Sequence, residues 1–196
     1  MSNRPSRAAL LASLIAASAL TACSSTPGQP TASSATTTGN SSAATSTATR
    51  PKSISVESLD QCKVLTNEQQ QQLGLDSPPR LIAEGSADTY GNKGCAFRRT
   101  RSEPWVSYLV VPRPQEGIEA WLDGKRRVQV SELTVAGFRA VETRNGAISC
   151  NIVIDVAERQ SLDIQFRPDS TGFTPDQMCE KARQGAELAM QTLLQR

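Results

Sequence analysis

The chain has 196 residues, with 21 Lys and Arg against 19 Asp and Glu, and no His at all. Lacking imidazole, it has no Ser-His-Asp or Cys-His machinery and no His-ligated metal centre. Its near balance of charge leaves no electrostatic footprint for nucleic acid.

Arg4 and Arg7 give a short positive segment ahead of Ala8 to Leu20, an apolar or small run of about thirteen residues. That is the length of a signal-peptide core, whereas a bilayer span needs roughly twenty apolar residues. Leu20-Thr21-Ala22-Cys23 then reads as a lipobox. Residues 1–22 are expected to be a lipoprotein signal peptide, with an ordinary secretory signal cleaved near Thr21-Ala22 as the alternative. Cys23 becomes the first residue of the mature protein, carrying a diacylglyceryl thioether with palmitate-class chains. At ~0.8 kcal/mol per buried methylene, two acyl chains hold far better than one. The protein is expected to sit on the extracytoplasmic face of the cell membrane, anchored and not spanning. Arg4 and Arg7 are not adjacent, which favours general secretion over a twin-arginine route.

Residues 23–52 are almost entirely Ser, Thr, Ala, Gly, Pro, Asn and Gln after the lipidated Cys23. Such a stretch buries too little apolar surface to order itself and reads as a tether with a reach of roughly 30 Å. Its Ser, Thr and Pro content also suits O-linked sugars. Residues 53–196 remain as a single globular domain with its own core. Losing Arg4, Arg7, Arg50 and Lys52 leaves that domain slightly acidic.

Within the domain, Thr66 followed by Gln69 and closed by Leu73-Gly74 predicts a short capped helix over Asn67–Leu73. Asp76-Ser77-Pro78-Pro79 breaks it, and Ala83 to Gly94 reads as a loop or weak edge strand. Cys95 to Arg99 resumes as strand. Trp105 to Val111, β-branched and aromatic on both faces, predicts a central strand ended by Pro112 and Pro114. Gln115 to Leu122 places Ile118, Trp121 and Leu122 on one helical face. Arg127 to Val135 and Gly137 to Glu142 lead to Asn145-Gly146, the strongest hairpin signal in the chain. Ser149 to Val156 puts Cys150, Ile152, Ile154 and Val156 on one face, with Asn151 and Asp155 opposite. A turn through Glu158-Arg159-Gln160 returns a strand with Leu162, Ile164 and Phe166 inward and Asp163, Gln165 and Arg167 outward. One face of the sheet is therefore expected to be dry and the other wet.

Thr174-Pro175-Asp176-Gln177 is a helix start, and the helix is predicted to run to Leu194. Met178, Cys179, Ala182, Ala186, Ala189, Met190 and Leu193 make its apolar stripe. The expected fold class is α+β: a mostly antiparallel sheet with a long C-terminal helix packed on one face, and short helices near the N-terminus and in the middle.

With Cys23 spent on lipid, four Cys remain in an exported chain, which predicts two disulfides with three connectivities to choose from. Cys150 and Cys179 both point into the space between strand and helix, so they are expected to meet, leaving Cys62 for Cys95. Each bridge closes a loop of about thirty residues, worth on the order of 3–4 kcal/mol. No Cys-x-x-Cys and no His are present, so neither a redox motif nor a zinc site is read here.

The lipobox, the Ser/Thr tether, the start Cys62-Lys63-Val64-Leu65-Thr66-Asn67-Glu68-Gln69 with Leu73-Gly74-Leu75, the Gly94-Cys95-Ala96-Phe97 strand, Cys150 opening an apolar strand, and Cys179-Glu180-Lys181-Ala182 together resemble a known family. It is that of the actinobacterial cell-envelope lipoproteins grouped as domain of unknown function 3558, over about residues 58–195. Phe97 stands where the family pattern leads one to expect Trp. The resemblance implies a lipoprotein on the outer face of the plasma membrane and brings no catalytic residues with it.

The sequence holds no Gly-x-Ser-x-Gly, Ser-x-x-Lys, phosphate loop or dinucleotide fingerprint. The leading expectation is a non-enzymatic binding or interaction module without cofactor or metal. It is held at the membrane through Cys23 and presents its open sheet face, or the loops between Pro78 and Gly94, to an envelope protein or small ligand. A histidine-free envelope hydrolase is the second reading: Asp155 and Asp163 share outward parity on neighbouring strands, though such carboxylates normally belong to a wet face. A carrier of a small apolar ligand is the third, with Trp105, Trp121 and Phe138 as cavity lining. The basic clusters Arg98-Arg99-Thr100-Arg101 and Lys125-Arg126-Arg127 read as solvated strand ends or turns.

Overall fold

A computed structural model describes residues 50–83 and 91–196, which belong to one compact unit, Thr45–Arg196. The expected signal peptide, Cys23 and nearly all of the tether lie outside the described residues, as does most of the 83–94 loop.

Seven strands build one antiparallel sheet: β1 (Arg80–Ile82), β2 (Gly94–Arg99), β3 (Val106–Arg113), β4 (Gln129–Val135), β5 (Phe138–Asn145), β6 (Ser149–Ala157) and β7 (Gln160–Pro168). Their order is β1-β2-β3-β7-β6-β5-β4. The chain thus runs β1 to β3 as a meander, leaves the middle of the sheet, and re-enters at the far edge before meandering back to pair β7 with β3. The connection over residues 114–128 has to make that crossing.

Two strand predictions need correcting. β3 runs through Pro112 to Arg113, pairing them with Leu162 and Ser161. Proline is tolerated there because the β2 pairing stops at Val110, so β3 has become an edge at that point. Trp105 precedes the strand and is 46% exposed, although Val106 onward is buried. The predicted Gln115–Leu122 helix is only a single turn, α2 (Glu119–Leu122), yet Ile118 and Trp121 are buried as its pattern required.

The turns also rearrange the hairpin signals. Asn145 pairs with Ser149, so the Asn-Gly site closes a three-residue loop over 146–148. Two-residue turns fall instead at Glu158-Arg159, between Ala157 and Gln160, and at Ala136-Gly137, between Val135 and Phe138. Ala136 and Gly137 both have positive φ, 49° and 83°, as a turn matching the right-handed strand twist demands. Ala136 adopts that conformation despite its Cβ, which is why the residue types alone did not mark the turn.

Helix α1 (Asn67–Gln72) has the full reciprocal capping box between Thr66 and Gln69, with Leu73 as its cap residue. Helix α3 (Pro175–Leu194) has the same device between Thr174 and Gln177, with Pro at the first position. The predicted stripe from Met178 to Leu193 is buried and joins Phe97, Val110, Ile152, Ile164 and Phe166 in one large apolar cluster. The Tyr108 hydroxyl donates to the Lys181 carbonyl at 3.1 Å, and burial pushes its phenol above the usual tyrosine range.

Gly185 of α3 lies against Tyr108 of β3: an added Cβ there would lie 2.6 and 2.8 Å from ring atoms of Tyr108. That ring is held by its hydroxyl bond and by an edge contact with Phe166, so it has no room to swing. Gly185→Ala should therefore destabilise the domain by about 1–2 kcal/mol, overpacking outweighing the roughly 1 kcal/mol that helix propensity favours Ala. A urea melt showing the variant as stable as the parent would refute this contact.

Candidate functional site

The face opposite Cys150 and Ile152 is not the wet surface expected of it. Asp163 is 0% exposed, Asp155 5% and Gln165 8%. The cover comes from the crossing connection, whose Ile118 and Trp121 form an apolar cluster with Val141 and Val153. Periodicity placed these polar residues on the correct side; what it did not disclose is that a segment lies over them.

The same connection is pinned by a buried charge network. Arg113, at the end of β3, donates from Nη2 to Asp163 Oδ2 at 2.8 Å and from Nη1 to Glu116 Oε1 at 3.2 Å. Gln165 Nε2 donates to Asp163 Oδ2 at 3.0 Å. The second oxygen of Glu116 accepts from Arg126 Nη2 at 2.6 Å, and Ser161 Oγ donates to the Glu116 carbonyl at 2.7 Å. The guanidinium carbons of Arg126 and Arg113 stand 3.9 and 5.1 Å from the Trp121 ring centroid, in cation-π range. Arg113, Glu116, Arg126 and Trp121 were not foreseen as a group. The one clue was Arg113 sharing the parity of Leu109 and Val111 at the end of an apolar strand.

The candidate carboxylates of the hydrolase reading, Asp155 and Asp163, both lie on this face. Each already has a guanidinium partner: Arg50 for Asp155 at 2.9 Å, Arg113 for Asp163. Neither lines any of the surface grooves described below. The aromatics of the carrier reading are scattered: Phe138 lies in the main core, Trp121 under the connection, and Trp105 outside at the start of β3. They do not line one cavity.

Cys62 is bonded to Cys95 and Cys150 to Cys179. The first ties the 3₁₀ turn Gln61–Lys63 to β2; the second ties β6 to α3. Glu142 Oε, Cys150 Sγ and Cys179 Sγ fall within 4.8 Å of one another, but sulfurs joined in a disulfide have no thiolate to offer a metal. Glu142, though inside at 3% exposure, is paired with Arg144 at 3.0 Å and with Arg183 at 2.5 Å.

Of the basic clusters, Lys125 pairs with Asp123 and Arg126 belongs to the buried network. Arg99 Nε donates to the Pro104 carbonyl. Asp76 accepts from the Thr100 and Arg101 amides at 2.8 and 3.0 Å, and these bonds, the Thr100 one foremost, hold its carboxyl below the usual range. It thereby fastens the β2–β3 loop.

Open grooves mark the surface. One of about 440 Å³ lies where α3 begins, among Pro104, Phe173, Gln177, Glu180 and Lys181. Another of about 450 Å³ lies between the 56–61 segment and Lys93, Pro112 and Pro114. Two more, about 330 and 550 Å³, flank Glu116.

A protein-family model described as a protein of unknown function (DUF3558) matches residues 18–192. No curated protein and no solved structure matches the chain.

Proposed function

Because the chain belongs to the DUF3558 family of proteins of unknown function, we propose that it is an actinobacterial envelope lipoprotein, lipid-anchored at Cys23 outside the cell, that binds an envelope component and catalyses nothing. The observation that carries this reading is Cys23 placed directly behind Leu20-Thr21-Ala22 and a short apolar run. Two disulfides in so small a domain agree with an oxidising compartment.

In this reading α3 lies across the dry face of the sheet. Its buried stripe, the Cys150–Cys179 bond and the Tyr108 to Lys181 hydrogen bond support that placement. The chain enters the domain at one pole: Arg50 pairs with Asp155, Ile54 N–H donates to the Val156 carbonyl, and Pro51 stands against Gly137. The 100–105 loop, the 146–148 turn and the start of α3 form the opposite pole. That far pole carries the groove of about 440 Å³.

Cys23→Ser is expected to shift the protein from the membrane fraction to the soluble envelope fraction. Retention of the variant in the membrane, or an unacylated Cys23 in mass spectra of the native protein, would overturn the anchor.

A further inference from the structure

We propose that the far-pole end of the second sheet face, built from Arg80, Arg98 and Arg167 with Trp105 beside them, docks an acidic segment of a partner protein. The inference rests on the binding reading above and names its surface.

Strand register brings the three arginines together. Arg98 is opposite Ser107, which is opposite Arg167, so the two arginines flank β3 on one face about 10 Å apart. Arg80 is opposite Ala96, which shares the face of Arg98. All three are exposed. Trp105 continues the alternation of Ser107 onto the same side and is 46% exposed. The floor between them is Ser107, Leu109 and Gln165, neutral and mostly covered.

Six of the described arginines are neutralised within the fold, and those of the patch are not. Arg50, Arg113, Arg126, Arg139, Arg144 and Arg183 each have a carboxylate within ion-pair distance. Among the described residues, none stands within that distance of Arg80, Arg98 or Arg167. Asp76, the acid beside the β2 end, is turned to the Thr100 and Arg101 amides. Asp169, on the row of Trp105, is exposed and leaves the patch net positive. Uncompensated like charges facing water over a neutral floor are an arrangement that an anionic partner relieves.

The composition selects the kind of anion. Guanidinium forks grip carboxylates in bidentate geometry, and Arg and Trp concentrate binding energy at protein interfaces. Three arginines also fall short of the about four to eight Lys and Arg of a typical lipid-headgroup patch.

Trp105 and Trp121 are the two tryptophans, and Trp121 is 6% exposed, so fluorescence quenching reports mainly on Trp105. The purified full chain titrated with poly-L-glutamate at low salt should show saturable quenching, and raising salt to about 0.5 M should abolish it. The double variant Arg98→Glu/Arg167→Glu should bind at least about tenfold more weakly, and Arg98→Gln/Arg167→Gln should fall in between. Arg127→Glu, an exposed arginine elsewhere, should bind like the parent. Absence of saturable binding, equal affinity in the charge-reversed variant, or tighter binding to alginate or to anionic lipid vesicles would overturn the proposal. Membrane fractionation of Cys23→Ser reads the anchor separately, so a failed titration does not touch it.

Discussion

Arg113→Ala should destabilise the domain by about 3–5 kcal/mol, the range found when one partner of a buried ion pair is removed. The Arg113 side chain is 3% exposed and that of Asp163 0%. Deleting the guanidinium leaves the Asp163 carboxylate without its cation in a site that water does not reach, and also takes from Glu116 one of its two guanidinium partners and from Trp121 one of its two. The loss is thus mainly a stranded charge, and the remedy follows from the cause. Arg113→Met combined with Asp163→Leu removes both charges and keeps the volume, so it should recover most of the stability lost in the single variant. Chemical denaturation of the two variants decides the matter. A single variant within about 1 kcal/mol of the parent, or a double variant worse than the single, would show that the network is not a buried charge balance.

Replacing Cys150 and Cys179 together by Ala should cost about 3–4 kcal/mol, from the 29-residue separation that the bond closes. For a domain of this size that corresponds to a fall in Tm of roughly 10 °C. The bond joins β6 to α3, so hydrogen exchange should rise first in the early turns of α3. Cys150 and Cys179 are 0% and 1% exposed, whereas Cys62 is only partly buried. Mild reductant should accordingly open Cys62–Cys95 while Cys150–Cys179 persists. Reduction in the reverse order, or a double variant melting with the parent, would contradict the role assigned to this bridge.

How legible the molecule was depends on the range of the interaction. Thr66 with Gln69 and Thr174 with Gln177 are local devices, satisfied within four residues, and both helix starts were readable from residue types. The β6–β7 hairpin was readable because strict alternation puts Ile152, Ile154, Leu162 and Ile164 on one side whatever surrounds them. The pairing of Cys150 with Cys179 followed from two such local directions meeting. The Ala136-Gly137 turn was missed because Ala rarely takes positive φ; the pairing of Val135 with Phe138 imposes it.

The candidate site was the least legible part. Asp163 and Gln165 looked like a solvated face, and Lys125-Arg126-Arg127 like a turn, since alternation says which side a residue is on and nothing about what lies over that side. The connection from β3 to β4 crosses half the sheet and carries Glu116, Trp121 and Arg126 onto Asp163 and Arg113. Strand order alone sends it there.

Local chemistry in the chain determined the caps, the strand faces, the fold class and the two cross-links, because each depends on neighbours a few residues away or on a fixed two- or 3.6-residue period. Tertiary structure decided that the second face is half covered, that its inner charges are paired while Arg80, Arg98 and Arg167 face water, and that Gly185 stands against Tyr108. Those outcomes hinge on which distant segments are brought side by side, and a one-dimensional pattern carries no record of that.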